Sequence, residues 1–236
     1  MIDLIKKEVC NIAAIWTTGD THGYYNDIMK RIAENAVFEG DSIIICGDFG
    51  FVWRHPEIRR EYFKLRKEPF NFYFVDGNHE DFHLLSEYPV SNWNGGKAQI
   101  IEPNIIHLMR GEFYEILGKT FFTMGGAYSR DRAMRQLGYT YFEEELPSSE
   151  EYAHADMTLA KHKYRADYFL SHTGPYSIIK AMGFDADYEE MQLTSYLDKV
   201  KDSVQFKHWY FGHFHQNKTL LGKYTVLLDK MVKLPD

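Results

Sequence analysis

Short apolar runs that end abruptly in Gly, Asp, Asn or His organise this chain. Short runs rich in β-branched or aromatic residues are typical of buried strands, and the polar, glycine-bearing residues behind them are typical of loops. Five such runs are followed by residues able to bind a ligand. The pattern therefore predicts strands over residues 12–16, 42–46, 70–75, 168–170 and 209–211.

The spacers between these strands carry helical patterns. Residues 26–35 place Ile28, Ile32 and Ala33 at helical spacing, and residues 56–67 show a similar pattern. A third helix is predicted to begin within residues 147–151, where Ser148 or Ser149 would cap a glutamate-rich first turn. Helices that alternate with strands favour an α/β fold.

Residues 105–109, 112–117 and 120–124 instead look like successive strands, with a hairpin turn at 117–120. The predicted architecture is therefore mixed, with two sheets and helices outside them. A length of 236 residues suits a single domain over residues 1–236. Residues 129–145 have no clear period and are rich in Arg, Glu and Tyr, so we expect a substrate-facing loop and helix insertion at about 128–163.

Composition and charge narrow the functional classes. With 34 acidic and 27 basic side chains the net charge is −7, which repels a polyanion, so long duplex nucleic acid is not an expected partner. Two cysteines, Cys10 and Cys46, imply no disulfide framework, and Cys46 is expected to be buried. The first residues are too charged for a secretory signal, and no apolar run approaches the ~20 residues that span a bilayer. We expect a cytoplasmic protein without a membrane partner, and leave homo-oligomer formation open.

The loops behind the predicted strands hold carboxylates, an amide and imidazoles. A pair of divalent metal ions that activates water for attack on phosphorus needs this mixture of oxygen and nitrogen ligands, with one carboxylate able to bridge. Glycine precedes several of these residues, which suggests that the backbone there turns or approaches a neighbour closely. The relevant segments are Gly19-Asp20-Thr21-His22, Gly47-Asp48, Gly77-Asn78-His79-Glu80, Ser171-His172 and Gly212-His213-Phe214-His215.

Taken together and in this order, the five segments resemble the calcineurin-like metallophosphoesterases. The resemblance runs from about residue 12 to residue 215 and implies a four-layer α-β-β-α sandwich of two mixed sheets flanked by helices. It also implies a dinuclear metal site and in-line attack by a metal-bridging hydroxide, with the two ions ~3.5 to 4 Å apart. One ion would take Asp20, His22, Asp48 and His215. The other would take Asp48, Asn78, His172 and His213, so that Asp48 bridges.

The same resemblance gives His79 a catalytic role beside Asp48: it would steady the transition state or protonate the leaving oxygen, as an imidazole can near neutral pH. Glu80 or Asp76 would orient it. The remaining histidines match no segment and are expected at the surface or in ordinary packing. Phe51, Trp53 and Tyr128 are expected to be exposed, where they could line a pocket.

The substrate is predicted less sharply. Protein phosphatases of this superfamily carry Asp-Arg-Gly after the second segment, whereas this chain has Asp48-Phe49-Gly50, and Gly212-His213-Phe214-His215 is closer to bacterial phosphodiesterases. We therefore expect an enzyme that hydrolyses a phosphodiester or another small phosphorylated metabolite. Arginines suit phosphate oxygens, and the candidates for substrate contact are Arg54, Arg130 and Arg135, together with Arg132.

Three alternatives stay open: a phosphomonoesterase or protein phosphatase, a nuclease acting on single strands, and a scaffold that has lost catalysis. Mn²⁺ is the metal we expect, although such mixed ligand sets also accept Fe, Zn, Co and Ni.

Overall fold

The computed structural model describes residues 13–235, in which the strands form two sheets. Within these residues the first sheet has seven strands in the order β13-β1-β2-β3-β6-β5-β4, and β1, β2, β3 and β6 run parallel. Its strands are β1 (Ile15–Thr18), β2 (Ser42–Cys46), β3 (Asn71–Val75), β4 (Val90–Trp93), β5 (Gly96–Glu102), β6 (Ile105–Leu108) and β13 (Val232–Lys233).

The second sheet has six strands within the same residues, in the order β11-β12-β10-β9-β8-β7. Its strands β8, β9, β10 and β12 run parallel. The bounds are β7 (Phe113–Ile116), β8 (Lys119–Met124), β9 (Tyr168–Ser171), β10 (His208–Phe211), β11 (Lys218–Leu220) and β12 (Tyr224–Val226).

Helices cover the outer face of each sheet. The first sheet packs against α1 (Tyr25–Glu34), α2 (Pro56–Leu65) and α3 (Phe82–Leu85). The second packs against α4 (Ser149–Lys161), α5 (Tyr176–Ala181) and α6 (Met191–Ser203).

Alternation along the central strands divides the core into three. In β2, Ile43 and Ile45 face the helices, whereas Ile44 and Cys46 face the other sheet. This follows from the two-residue period of a strand, and β9 and β10 behave alike. Apolar clusters therefore lie outside the first sheet, between the sheets and outside the second, which confirms the four-layer α-β-β-α sandwich.

The predicted elements mostly agree with the structure. The hairpin turn joins β7 to β8 in antiparallel register, and Ser148 caps α4 with Glu151 in a reciprocal capping pair. The pattern did not predict α3, α5 and α6, or the strands β4, β5, β11, β12 and β13. Cys46 is buried as expected, whereas Cys10 lies outside the described residues. The expected exposure of Phe51 is wrong: its ring is 1% exposed in the core beneath α1 and α2.

The segment at 128–163 has two different parts. Its first part is a loop with two single turns of 3₁₀ helix, Arg132–Met134 and Glu143–Glu145. Its second part is α4, which packs Ala155 and Leu159 against the second sheet. The loop therefore borders the carboxyl ends of the strands, while the helix belongs to an outer layer.

Candidate metal centre

The loops that follow β1, β2, β3, β9 and β10 meet at one edge where the two sheets adjoin. Three overlapping groups of donor atoms arise there, each with all its atoms within 4.8 Å of one another. The groups share members, so they form one continuous cluster. They are Asp20 with His22 and His215, His22 with Asp48 and His79, and Asp20 with Asp48 and His172.

Asp20 lies at the first end of this cluster. Its Oδ1 accepts a hydrogen bond of 3.1 Å from the His213 backbone N–H. Its buried Oδ2 has no hydrogen-bond partner among residues 13–235, and it lies 3.3 Å from His215 Nε2 and 3.9 Å from His22 Nε2. A buried carboxylate oxygen is rarely left unpaired, so this one faces a space suited to a cation.

Asp48 lies in the middle of the cluster. Its Oδ1 accepts a hydrogen bond of 2.8 Å from the His79 backbone N–H and lies 3.2 Å from His172 Nε2, while its Oδ2 lies 3.8 Å from His22 Nδ1. Burial alone would raise the pKa of Asp48, but the adjacent His172, with His79 and His22, holds it well below its usual range. The side chain is therefore an anion with one oxygen toward each half of the cluster.

His172 and Asn78 occupy the second end. His172 Nδ1 donates to the Cys46 carbonyl at 2.8 Å, because a carbonyl can only accept. In a neutral ring Nε2 then carries the lone pair, yet it faces Asn78 Oδ1 at 3.1 Å and Asp48 Oδ1 at 3.2 Å. Three acceptors in such proximity require a cation, either a proton on His172 or a metal ion.

The electrostatics show how strong this requirement is. Burial opposes a charged imidazole, yet the Asp48 carboxylate outweighs burial and raises the pKa of His172 to about 10. A metal ion among the same three atoms would replace that proton. The orientation of the Asn78 amide is fixed from behind, since its Nδ2 donates to Ser129 Oγ at 3.0 Å and Ser129 Oγ in turn donates to Glu145 at 3.0 Å.

His213 stands slightly apart from the three donor groups. Its ring centre lies 5.1 Å from that of His172, and its Nε2 lies 3.8 Å from Oε1 of Glu190, a buried residue at the start of α6. That Glu190 oxygen has no hydrogen-bond partner in the described part of the chain. A carboxylate behind one imidazole nitrogen is the usual arrangement when the other nitrogen binds a metal.

Backbone geometry at the site is unusual. His22, Asp48, His213 and His215 all adopt left-handed conformations, with φ between 47° and 67°. Non-glycine residues rarely do so, and such strained positions cluster at functional sites. The turn at each strand end therefore directs the side chain back toward the cluster.

Two glycines show why small residues precede the ligands. A Cβ atom on Gly47 would lie 2.1 Å from His172 Nδ1, and one on Gly77 would lie 2.1 Å from Asp48 Oδ1. Any side chain at either position would displace a candidate ligand, in line with the close approach inferred from the sequence.

His79 contacts Arg135 and neither of the carboxylates proposed to orient it. The Arg135 Nη1 and Nη2 atoms lie 2.8 Å from His79 Nδ1 and Nε2 respectively. Burial, reinforced by Arg135, lowers the pKa of His79 to about 4, so the ring is neutral at pH 7 and accepts a hydrogen bond at one nitrogen only.

The expected roles of Glu80 and Asp76 are corrected. Glu80 accepts from the Phe49 and Gly50 backbone N–H groups at 2.7 and 3.1 Å, and so fixes the loop after Asp48. Asp76 pairs with Arg110 and with His107 at 3.2 Å. Both carboxylates are buried and fully engaged away from the His79 ring.

The four candidate arginines divide into two sets, and Arg132, which pairs with Glu145 at 2.8 Å, is not among the residues that border the cavity at the cluster. Arg130 and Arg135 border the cavity at the cluster. Arg54 is not brought there, because its guanidinium pairs with Asp81 at 3.0 Å and Glu87 at 2.7 Å beside a separate cavity. Arg130 is itself paired with Asp187, and Arg135 with Asp131 at 2.7 Å.

A family model described as calcineurin-like phosphoesterase matches residues 13–217, which is most of the chain. The chain belongs to the calcineurin-like phosphoesterase family. Members of this metallophosphoesterase family hydrolyse phosphoesters, and the donors described above fit the divalent metals on which such enzymes depend. The unpaired Asp20 oxygen and the three converging acceptors are the observations that carry this fit.

The chain is also similar to a lariat debranching enzyme of Caenorhabditis briggsae, with 25% identity over 187 residues. The match covers 70% of this chain but 34% of the relative, so the chain spans about a third of that protein's length. Among solved structures, a phosphopantetheinyl hydrolase from Mycobacterium tuberculosis aligns with a TM-score of 0.44 and 17% identity, over 92% of this chain and 89% of the other.

Sequence reasoning missed several residues that support the candidate site. Buried Arg31 of α1 donates to the Asp20 carbonyl at 2.8 Å, the Gly19 carbonyl at 3.2 Å and Thr18 Oγ1 at 3.0 Å. The signal was a charged residue next to Ile32 on the apolar face of the helix. Ser129, Glu145 and Glu190 gave no comparable signal, because their partners lie far away in the chain.

Two of the remaining histidines make ordinary packing and hydrogen-bond contacts. His107 is held between Gln99 and Asp76, and the ring of His162 stacks on that of Phe113 at 3.7 Å.

Across residues 13–235, no helix has both the length and the apolar character needed to cross a membrane.

Proposed function

We propose that this protein is a phosphodiesterase that works with two divalent metal ions. Asp48 would be shared between the two ions. One ion would be held by Asp20, His22, Asp48 and His215, and the other by Asp48, Asn78, His172 and His213.

The observation that carries this proposal is the convergence of acceptors at Asp48, Asn78 and His172, with contacts of 3.1 and 3.2 Å. The unpaired Asp20 oxygen marks a second place where positive charge is needed. Because Asp48 presents Oδ1 to one place and Oδ2 to the other, two adjacent cations explain the arrangement better than one.

Ions bound there would activate a water molecule and neutralise charge on the phosphoryl oxygens. The water adds to phosphorus, one P–O ester bond breaks, and the leaving oxygen takes up a proton. His79 is suited to steady the leaving oxygen with a hydrogen bond from its neutral ring, because that ring lies at the rim of the cluster, 5.1 Å from the ring of His22, and borders the cavity. Arg135 positions this ring.

The preference for a diester rests on charge. A monoester phosphate is a dianion, and its additional charge calls for free cationic side chains. At this cavity Arg130 and Arg135 are already paired with Asp187 and Asp131, so apart from the metal ions little positive charge remains for the additional oxygen of a terminal phosphate. A diester, with one charge, matches such a site.

The test is turnover of bis(p-nitrophenyl) phosphate by metal-depleted protein after addition of Mn²⁺. Activity should require the metal, and Asp48→Asn should lower kcat/KM at least about 100-fold, since disturbing a metal site costs one to two orders of magnitude or more. Asp27→Asn, on the exposed face of α1, serves as the matched control. Metal-independent turnover, or full activity in Asp48→Asn, would contradict the proposal.

Two further substrates are tested under the same conditions: p-nitrophenyl phosphate, which is a monoester, and a single-stranded oligonucleotide. Faster hydrolysis of the monoester would favour a phosphatase, and rapid cleavage of the oligonucleotide would favour a nuclease. Elemental analysis of protein purified without chelators identifies the metal, for which Mn²⁺ is our expectation.

A further inference from the structure

Two cavities meet at His79 and Arg135, which line both of them. The larger, of about 620 Å³, we call the Trp53 cavity; its walls include Trp53, Tyr24 and Ile58. The smaller, of about 340 Å³, we call the Phe184 cavity; its walls include Phe184, Phe214 and Tyr128. Each volume lies in the range of about 300 to 1,000 Å³ that is typical of small-molecule sites.

The ligand cluster lies between the two cavities. His22 borders the Trp53 cavity, whereas Asp48, Asn78 and His213 border the Phe184 cavity. A phosphorus atom at the cluster therefore has one cavity on each side. A diester carries two substituents on phosphorus, and this arrangement offers a separate space to each.

Aromatic side chains form the walls of both cavities. Trp53 is half-buried and Tyr24 is 63% exposed, so their rings remain accessible. In the other cavity the half-buried rings of Phe184 and Phe214 pack together at 5.0 Å. Such faces favour planar, ring-bearing groups, and nucleobases stack on them regardless of sequence.

The cavity walls offer little charge for additional phosphates. Arg130 and Arg135 are paired with Asp187 and Asp131, and Glu57 adds negative charge to the lining of the Trp53 cavity. A substrate with several phosphates would bring more negative charge than the two metal ions could balance. A substrate with a single phosphate between two uncharged groups fits both the shape and the charge of the two cavities.

We propose that the substrate joins two planar, ring-bearing groups through one phosphodiester, as in a dinucleoside monophosphate, with one ring in each cavity. The inference rests on the proposed function and adds the substrate class. Hydrolysis would add one water across one P–O bond and release one nucleoside and one nucleoside monophosphate.

The experiment uses the full chain loaded with Mn²⁺ and three substrates: a dinucleoside monophosphate, a nucleoside methyl phosphodiester and a dinucleoside tetraphosphate. We expect kcat/KM for the first to exceed that for the methyl diester by about 10-fold or more, because the second stacked ring contributes roughly that factor. We also expect it to exceed that for the tetraphosphate, because the additional phosphates bring negative charge that the cavity walls do not balance. Trp53→Ala and Phe184→Ala should each lower kcat/KM for the two-ring diester about 10-fold.

With the methyl diester, which has a single ring, at most one of these two substitutions should matter. Phe38→Ala is the matched control, since Phe38 is 55% exposed and lines neither cavity. Equal kcat/KM for the methyl and two-ring diesters, or a preference for the tetraphosphate, would overturn the substrate class. Bis(p-nitrophenyl) phosphate is run alongside: if it is hydrolysed while these expectations fail, the proposed function survives; if it is not, both fall.

Discussion

Asn78 and Ser129 lie 51 residues apart in the chain, yet their side chains form a hydrogen bond of 3.0 Å. The Asn78 amide can donate from nitrogen and accept at oxygen, and only the oxygen can bind a metal ion. Ser129, held by Glu145, receives the amide N–H and thereby leaves the oxygen facing His172 Nε2. One hydroxyl therefore decides the orientation of a predicted ligand.

Replacing Ser129 with Ala should weaken binding of one of the two metal ions by about 10- to 100-fold, since partners behind a metal ligand contribute that much. The reason is that the Asn78 amide loses the acceptor that fixes it. Calorimetric titration of metal-depleted protein with Mn²⁺ measures the change. Ser86→Ala, at an exposed position, should leave both affinities unaltered, and unaltered binding in Ser129→Ala would refute the role.

Glu190 presents a similar case at His213. Its substitution by Gln keeps the volume but removes the charge behind the His213 ring, and we expect the affinity for one ion to fall about 10-fold. Glu189 is its exposed neighbour, so Glu189→Gln gives the same change in net charge without the contact. Equal metal titrations for the two variants would show that charge at this position has no local effect.

Among the elements, α1 acts beyond its packing role. It buries Ile28 and Ile32 against the first sheet, and the same face carries Arg31 to the loop after β1. That loop turns the carbonyl groups of Gly19 and Asp20 toward the Arg31 guanidinium, and a buried carbonyl needs a donor. The helix therefore fixes the backbone from which Asp20 projects.

Arg31→Met should lower the free energy of unfolding by about 3 kcal/mol, because the loss of buried hydrogen bonds leaves acceptors unpaired at about 1 to 3 kcal/mol each. Urea unfolding at pH 7 measures this loss. Lys30→Met, one residue earlier on the exposed face of α1, is expected to change stability by less than about 0.5 kcal/mol. If Arg31→Met also changed stability by less than about 0.5 kcal/mol, water would be satisfying the carbonyl groups in place of Arg31.

On the scale of the whole molecule, the cluster joins the two sheets. Asp20, Asp48 and Asn78 follow strands of the first sheet, whereas His172, His213 and His215 follow strands of the second. Ions bound by both sets would hold the layers together, because separating the sheets would also break the coordination.

Mn²⁺ should therefore raise the melting temperature of metal-depleted protein. At a concentration 100-fold above Kd, binding to the native state alone stabilises it by about 2.7 kcal/mol. Scanning calorimetry with and without Mn²⁺ measures the shift, which should be much smaller in Asp48→Asn. A shift of equal size in that variant would indicate that the metal binds elsewhere.

The strand positions, the family and the candidate ligands of this protein can be predicted from its sequence. Strand positions follow from short apolar runs, since burial of both faces leaves a local pattern, and the family follows from motifs such as Gly47-Asp48 that each lie within a few residues. The candidate metal ligands, such as Asn78 and His172, could likewise be identified from short motifs in the sequence.

Relations between distant residues were decided by the tertiary structure alone. Nothing near Ser129 or Glu190 in sequence reveals Asn78 or His213 as a neighbour, and nothing near Arg54 reveals that Asp81 and Glu87 keep it from the cluster. The left-handed backbone at Asp48 and His213 arises because surrounding contacts outweigh its local cost. Sequence patterns record local preference, whereas orientation and pairing depend on which segments the packed sheets bring together.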